Sequence, residues 1–323
     1  GDAAVLITTS SGNITIDAAA DDSDIILKGT DGGADTTFLT IDGSAAGEAT
    51  FNAGVIGTSF NGIPLFAADN SIYTHDVSGT DDTASKNAGY GITALDAVTT
   101  GDNNVAVGYA ALTALTTGTE NVAIGHEALR LVTTASSNVA IGNEAMENNV
   151  AANNVAVGTK SMRANTTGTR NIAIGTNAYD ASDTENDNLA IGYDAMTTNT
   201  AGGTKNVAIG NYALDAHTSG DDNTAVGYIS LSANTTGSNN TAVGSWSLTA
   251  NTTGVSNIAV GTDSMVSNTD GSYNTAVGHD ALQANTSSNR NIAVGHTALY
   301  SNTAADNVAV GQQAGYSNTT GTR

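Results

Sequence analysis

The chain has no cysteine, one proline, one tryptophan and only 5% aromatic residues in 323 positions. Without cysteine there is no disulfide framework, no thiolate zinc site and no thiol nucleophile. Basic residues are also scarce: nine Lys+Arg stand against 31 Asp+Glu, a formal net charge of −22. Nucleic acids and anionic membranes are themselves polyanions, so neither is an expected partner. No run approaches the ~18 uninterrupted apolar residues of a membrane helix, so no membrane insertion is expected. What the chain has in quantity is Gly, Ala, Asn, Thr, Ser and Asp. That composition alone would fit a disordered polymer, but disorder carries no periodic apolar pattern, and here one is evident.

The segment Asn104-Val105-Ala106-Val107-Gly108 returns as Asn121-Val122-Ala123-Ile124-Gly125 and again as Asn138-Val139-Ala140-Ile141-Gly142, through to Asn307-Val308-Ala309-Val310-Gly311. The glycines fall at 108, 125, 142, 158, 175, 192, 210, 227, 244, 261, 278, 295 and 311, a spacing of 17 with single departures to 16 or 18. A degenerate copy, Asn87-Ala88-Gly89-Tyr90-Gly91, precedes these thirteen. Aligned on the glycine, the consensus reads Asn-Val-Ala-Val-Gly-x-x-Ala-Leu-x-x-Asn-Thr-Thr-Gly-x-x. Positions are numbered below from this repeat glycine.

Val-Ala-Val alternates with period two and therefore predicts a strand. The glycine permits a bend or a positive φ. Seventeen residues are too few for a strand–helix unit, so each copy is expected to be one coil of a parallel β-solenoid or β-roll, all-β, with about thirteen to fourteen coils. A single coil cannot bury enough to stand alone and must stack on its neighbours.

The Asn at −4 is present in every copy: Asn104, Asn121, Asn138, Asn154, Asn171, Asn188, Asn206, Asn223, Asn240, Asn257, Asn274, Asn291 and Asn307. In stacked coils it is expected to form a ladder, each amide bonding to the next. The residue at −2 is always Ala: Ala106, Ala123, Ala140, Ala156, Ala173, Ala190, Ala208, Ala225, Ala242, Ala259, Ala276, Ala293 and Ala309. With Val and Ile assigned to the coil interior, this Ala column is expected to face outward. Its strictly small size then suggests close approach of another chain, most simply in a three-fold bundle.

Residues 1–65 carry no such repeat and read as a β-rich segment with short runs at 5–7, 14–16, 25–27, 38–41 and 49–51 separated by turn residues. Residues 66–86 read as a polar connector, and 87–323 as the repeat shaft. The first 86 residues hold 13 acids and 2 bases, a net charge of −11, and so carry half the total on about a quarter of the chain.

Candidate chemistry is sparse. The histidines are His75, His126, His217, His279 and His296; of these, 126, 279 and 296 directly follow a repeat glycine. His279 and His296 should stack ~4.8 Å apart in consecutive coils. A metal clip is conceivable there, yet other polar residues fill the same column, and no metal site is expected. The clusters Asp21-Asp22-Ser23-Asp24 and Asp183-Thr184-Glu185-Asn186-Asp187 match no calcium-loop pattern and read as solvated charge. No nucleophile elbow, phosphate loop or dinucleotide fingerprint occurs, so neither an enzyme nor a cofactor is expected. Tyr109, Tyr193, Tyr228 and Trp246 follow repeat glycines but are read as isolated rather than stacked in consecutive coils, which weakens a glycan-binding surface. A Thr at +8 in eleven of thirteen copies could suggest ice contact. The Thr-Thr pairs are adjacent, however, not in the Thr-x-Thr alternation that points two columns the same way.

The Val-Ala-Ile-Gly coils preceded by Asn resemble the head repeats of trimeric autotransporter adhesins, which form parallel β-rolls as trimers, with coils shorter than the 17 residues here. The longer form ending Asn-Thr-Thr-Gly is similar to repeats of bacteriophage tail fibres, and the likeness covers about residues 87–323. The segment from Asp24 to Asp35 is also similar to stretches of phage fibre proteins. The resemblance implies a homotrimeric structural shaft of a virion tail fibre or cell-surface appendage, working with other virion or appendage proteins and supporting attachment to a host glycan or receptor. The alternative is a bacterial surface adhesin or glycan-binding module.

Overall fold

The computed structural model describes residues 83–321 apart from 182, 200 and 201, and before them the backbone of short strands between Ile25 and Tyr73. The chain divides into two units, Gly1–Pro64 and Leu65–Arg323. In the first, β1 (Ile25–Asp31) pairs antiparallel with β2 (Ala34–Asp42), which pairs antiparallel with β3 (Glu48–Thr50). A separate two-strand pair joins β4 (Ser59–Phe60) to β5 (Ile63–Pro64). The runs expected at 5–7 and 14–16 lie outside the described residues.

The second unit is the expected all-β parallel solenoid. In the stretch read as a connector, β6 (Phe66–Ala68) and β7 (Ser71–Tyr73) pair antiparallel at one end of its sheet. β7 then runs parallel to β8 (Ala88–Tyr90), and thirteen further three-residue strands follow, from β9 (Val105–Val107) to β21 (Val308–Val310), each parallel to its sequence neighbour. The register keeps the columns in line, with Val122 opposite Val139 and Ala123 opposite Ala140. At ~4.8 Å per coil the stack from Gly91 to Gly311 rises about 60 Å. No helix occurs among the described residues.

Each coil closes through a run of left-handed residues. The repeat glycine has φ between 124° and 142°. Two and four residues later, non-glycine residues such as Trp246 (φ 60°) and Leu248 (φ 51°) are also left-handed, as is the residue before the Asn, such as Asn239 (φ 61°). Each such non-glycine residue costs about 1–2 kcal/mol, so the conformation persists only because stacking and side-chain bonds over-determine it. At the repeat glycine itself a side chain has no room: a Cβ on Gly227 would lie 2.4 Å from the carbonyl oxygen of Gly244 in the next coil.

The interior overturns one expectation. The Ala residues at −2 are buried inside their own coil, almost all at 0% exposure, while the flanking Val and Ile point outward, as at Val107 (37%) and Ile174 (39%). The Ala column is therefore not a chain–chain face. Its small size is imposed from within, because the opposite wall supplies the large side chains. Leu112, Leu129, Met146, Met162, Leu214 and their equivalents at +4 are fully buried, next to Ala or Ser at +3. Where Gly315 replaces the +4 residue, a Cβ there would sit 3.6 Å from the Ala309 methyl, so the two columns meet directly. A narrow cross-section filled by Leu or Met from one side leaves room only for a methyl from the other.

Replacing Gly227 by Ala combines this backbone clash with a disallowed φ. It should destabilise the middle of the array by about 3 kcal/mol or more, read as lost amide protection in the coils on either side. The exposed Thr236→Ala should change stability by less than about 0.5 kcal/mol.

Candidate functional site

The internal polar columns come first, because they position every surface side chain. All thirteen Asn at −4 are buried, at 6% exposure or less. Asn240 shows the pattern. Its backbone N–H donates to Asn223 Oδ1 at 3.0 Å, and its Nδ2 donates to the same oxygen at 3.2 Å and to the Gly254 carbonyl at 2.8 Å. Its own Oδ1 accepts from the Asn257 N–H at 3.0 Å. The backbone N–H to Oδ1 bond recurs at every step from Asn104 to Asn307, at 2.8 to 3.1 Å. The ladder thus satisfies a turn carbonyl and an amide that no strand could reach.

A second buried column lies at +7. In the early coils it is apolar, with Val98, Leu115 and Val132. From Asn149 onward it is mostly Asn, and Asn251 Nδ2 donates to Asn234 Oδ1 at 2.9 Å as Asn268 does to Asn251. Asn165, Asn199 and Asn285 have a buried Oδ1 with no hydrogen-bond partner among the described residues. Each lies where the column changes. In the sequence the +7 residue of the coil after Asn165 is Ser182, which lies outside the described residues, and the position above Asn199 is His217. Above Asn285 the short 16-residue coil turns Asn302 Nδ2 toward the Ala304 carbonyl instead.

The coil that begins at Gly175 departs from the repeat at two points. At 179 the large residue is Tyr, fully buried, and its hydroxyl accepts from Asn188 Nδ2 at 2.6 Å and Asn199 Nδ2 at 3.1 Å. Nearby, Glu185 replaces the turn glycine and is 2% exposed. Its carboxylate accepts the N–H groups of Asp183, Thr184 and Gly202, each at 3.0 Å. Asn186 Oδ1 accepts from the Thr169 N–H, and Asp187 pairs with Arg170 at 2.6 Å. The Arg170 guanidinium holds the Asp187 carboxyl below its usual range. The oxygens of this cluster are largely committed to protein donors. The other cluster, 21–24, and His75 lie outside the described residues.

On the outside, side chains of successive coils form ladders. Arg130, Glu147, Arg163 and Asp180 alternate in sign at +5, with Arg130 Nη2 to Glu147 Oε1 at 2.5 Å and Arg163 Nε to Asp180 Oδ1 at 3.2 Å. Burial pushes the Asp180 carboxyl up, opposed by Arg163. The Thr hydroxyls at +8 donate to carbonyls of the next coil, as Thr235 does to Thr252 at 3.0 Å and Thr252 to Thr269 at 3.1 Å. Their role in the array is a bonded column, not a free hydroxyl row.

The aromatic residues are not isolated. Tyr212, at +2, fills the gap between Tyr193 and Tyr228, so that Tyr193, Tyr212, Tyr228 and Trp246 form an unbroken edge-to-face ladder over four coils. Adjacent ring centroids are 5.5, 6.1 and 5.7 Å apart. Tyr193, Tyr228 and Trp246 are 41–46% exposed. The aromatic residues singled out from the sequence include Trp246 at +2 but not Tyr212 in the same column, which left a gap between Tyr193 and Tyr228; the left-handed residue at +2 shares the corner with +1. Tyr109 instead stacks on His126 at 5.2 Å, and His279 on His296 at 5.4 Å. No family model, curated protein or solved structure matches the chain.

His217 is fully buried in the +7 column, its Nε2 2.8 Å from the Gly220 carbonyl and its Nδ1 3.3 Å from Asn234 Nδ2. Burial is the main cause that lowers its pKa from 6.5. The unfolded chain therefore binds the proton more readily. The contribution of the neutral ring is complete above about pH 6.5 and is lost as pH falls below that value toward the folded pKa.

Two outcomes follow. Asn240→Ala strips a buried amide and a buried carbonyl of partners and should cost about 2–5 kcal/mol, read by denaturant unfolding. His217→Asn restores the column's usual residue and should flatten the loss of thermal stability between pH 6.5 and 5 relative to wild type.

Proposed function

We propose that the chain is the shaft of a fibre on a virion tail or a cell-surface appendage, supporting attachment to a host, with a structural rather than an enzymatic role. The observation that carries this reading is the array itself: fourteen parallel strands in register and, among the described residues, no inserted loop large enough to form a cleft. Such an array supplies length and stiffness, which a shaft needs.

We further propose that copies of the chain associate, most simply as a homotrimer, through the outer face of the sheet. From Val105 to Val310 the residues at −3 and −1 are Val, Ile, Leu or Thr in every strand, without a single charge. On a chain of net charge −22 this strip is the surface that two copies can bring together without like-charge repulsion. Light scattering on the whole chain should give three times 32.1 kDa. Val243→Glu, in the centre of the strip, should shift the mass toward the monomer. A monomeric wild type would refute the assembly.

A second reading, contact with a glycan along the shaft, is favoured by the aromatic ladder. Ring faces and edges alternate beside Asn211 and Asp194, offering both stacking and hydrogen-bonding groups to a neutral sugar chain. Trp246 is the only tryptophan, so its fluorescence reports on this corner alone. Neutral oligosaccharides of several linkages should include one that shifts Trp246 emission saturably, with the shift abolished in Tyr228→Ala. If no saccharide changes the emission, this reading is lost.

A further inference from the structure

We propose that His279, Asp280 and His296 form a site for a divalent transition-metal ion of the zinc or nickel kind. The repeat places a histidine directly after the glycine in two consecutive coils, and an aspartate beside the first. The two imidazoles stack 5.4 Å apart with planes 23° from parallel. Asp280 Oδ2 lies 2.8 Å from His279 Nδ1. One ligating atom from each of the three residues lies within 4.8 Å of the other two.

Ligands to such ions stand ~2.0–2.2 Å from the metal, which sets tetrahedral donors ~3.4 Å from one another, so donors as far apart as 4.8 Å must close while the 2.8 Å between His279 and Asp280 opens slightly. The exposure of the rings allows this, the His279 side chain being 51% accessible. The backbone beneath is fixed, with Thr297 N–H to the His279 carbonyl at 2.9 Å and Asp280 N–H to the Thr262 carbonyl at 3.1 Å. The closing movement is therefore confined to side-chain rotation about a rigid frame.

The donor set selects the ion. Two imidazoles with one carboxylate suit zinc, nickel or copper, whereas calcium and magnesium require oxygen ligands. Three protein ligands leave further positions for water or another ligand. The surrounding acidity attracts cations in general, but it cannot supply the nitrogen ligands. His126 marks the contrast: it follows a repeat glycine too, but its stacking neighbour is Tyr109 and its nearest carboxylate, on Glu127, is 4.0 Å away. A bound ion would strap the coil of Gly278 to that of Gly295, close to the last described coils. There Ala309 and Val310 are more exposed than their equivalents further in, at 9% and 71%.

The test is equilibrium dialysis of the full chain against Zn²⁺ or Ni²⁺ with Ca²⁺ in excess. One equivalent per chain should bind. His279→Asn and His296→Asn should each weaken binding at least tenfold, while His126→Asn leaves it unchanged. Asparagine already occupies this column at Asn143 and Asn211, so these variants keep the coil. In wild type, Zn²⁺ should move the imidazole NMR signals of His279 and His296 and leave those of His126 and His217 in place, a readout that needs no variant. Absence of stoichiometric Zn²⁺ binding, binding unaffected by both His variants, or displacement of Zn²⁺ by Ca²⁺ would each overturn the proposal.

Discussion

The solenoid depends on how it satisfies backbone polar groups around a narrow apolar core of Leu, Met and Ala. A coil of seventeen residues contains only three strand residues, so most of its amides and carbonyls lie in turns. Left without partners in a buried turn, each would cost about 1–3 kcal/mol. Most of them pair with the backbone of a neighbouring coil, as the Leu231 N–H does with the Ser247 carbonyl at 3.0 Å and the Gly227 N–H with the Ile209 carbonyl at 2.8 Å, and the Asn at −4 completes the set by acting as a piece of backbone. Its side-chain oxygen receives the amide of the next Asn, and its side-chain nitrogen reaches a turn carbonyl, as Asn240 does for Gly254. The unusual left-handed residues at +2, +4 and −5 are held by the same stacking. A change in one coil is therefore felt by its two neighbours and little further, as in other one-dimensional repeats.

Much of this was legible in the sequence, for a specific reason. Seventeen-residue periodicity is a statement about stacking, and the alternation of Val-Ala-Val excludes a helix. The coil count, parallel pairing and Asn column follow from those two facts. Alternation says only that Val107 and Ala106 point to opposite sides; it does not say which side is inside. The sign is set by the other wall, where Leu112 and Met146 fill the cavity and leave space only for the Ala methyl. Hydrophobicity alone chose wrongly, because a cross-section this thin ranks residues by volume before polarity. The same limit hid the aromatic ladder. Tyr212 and Tyr228 sit in different columns of the alignment yet on one corner of the coil, since the left-handed turn places +1 and +2 side by side.

The irregular coils show the same logic in reverse. Tyr179, Glu185 and His217 each break the consensus, and each brings a polar group that meets donors or acceptors left by a missing Asn or Gly. The surface follows a looser rule: any residue is accepted if its neighbour one coil away complements it. The alternating charges of Arg130, Glu147, Arg163 and Asp180 and the paired rings of His279 and His296 are products of that rule. Functional groups can thus be assembled by placing compatible residues one period apart, with no change to the frame beneath them.

The central claim is that a continuous buried column of Asn side chains completes the backbone pairing between coils. The most direct measurement is the through-hydrogen-bond coupling, by NMR on Asn-labelled protein, between the amide nitrogen of one Asn and the side-chain carbonyl carbon of the Asn one coil before it. The account predicts such couplings along the array, Asn240 to Asn223 among them, with carboxamide protons that exchange slowly. Carboxamide protons exchanging at the solvent rate, with no coupling between coils, would contradict it.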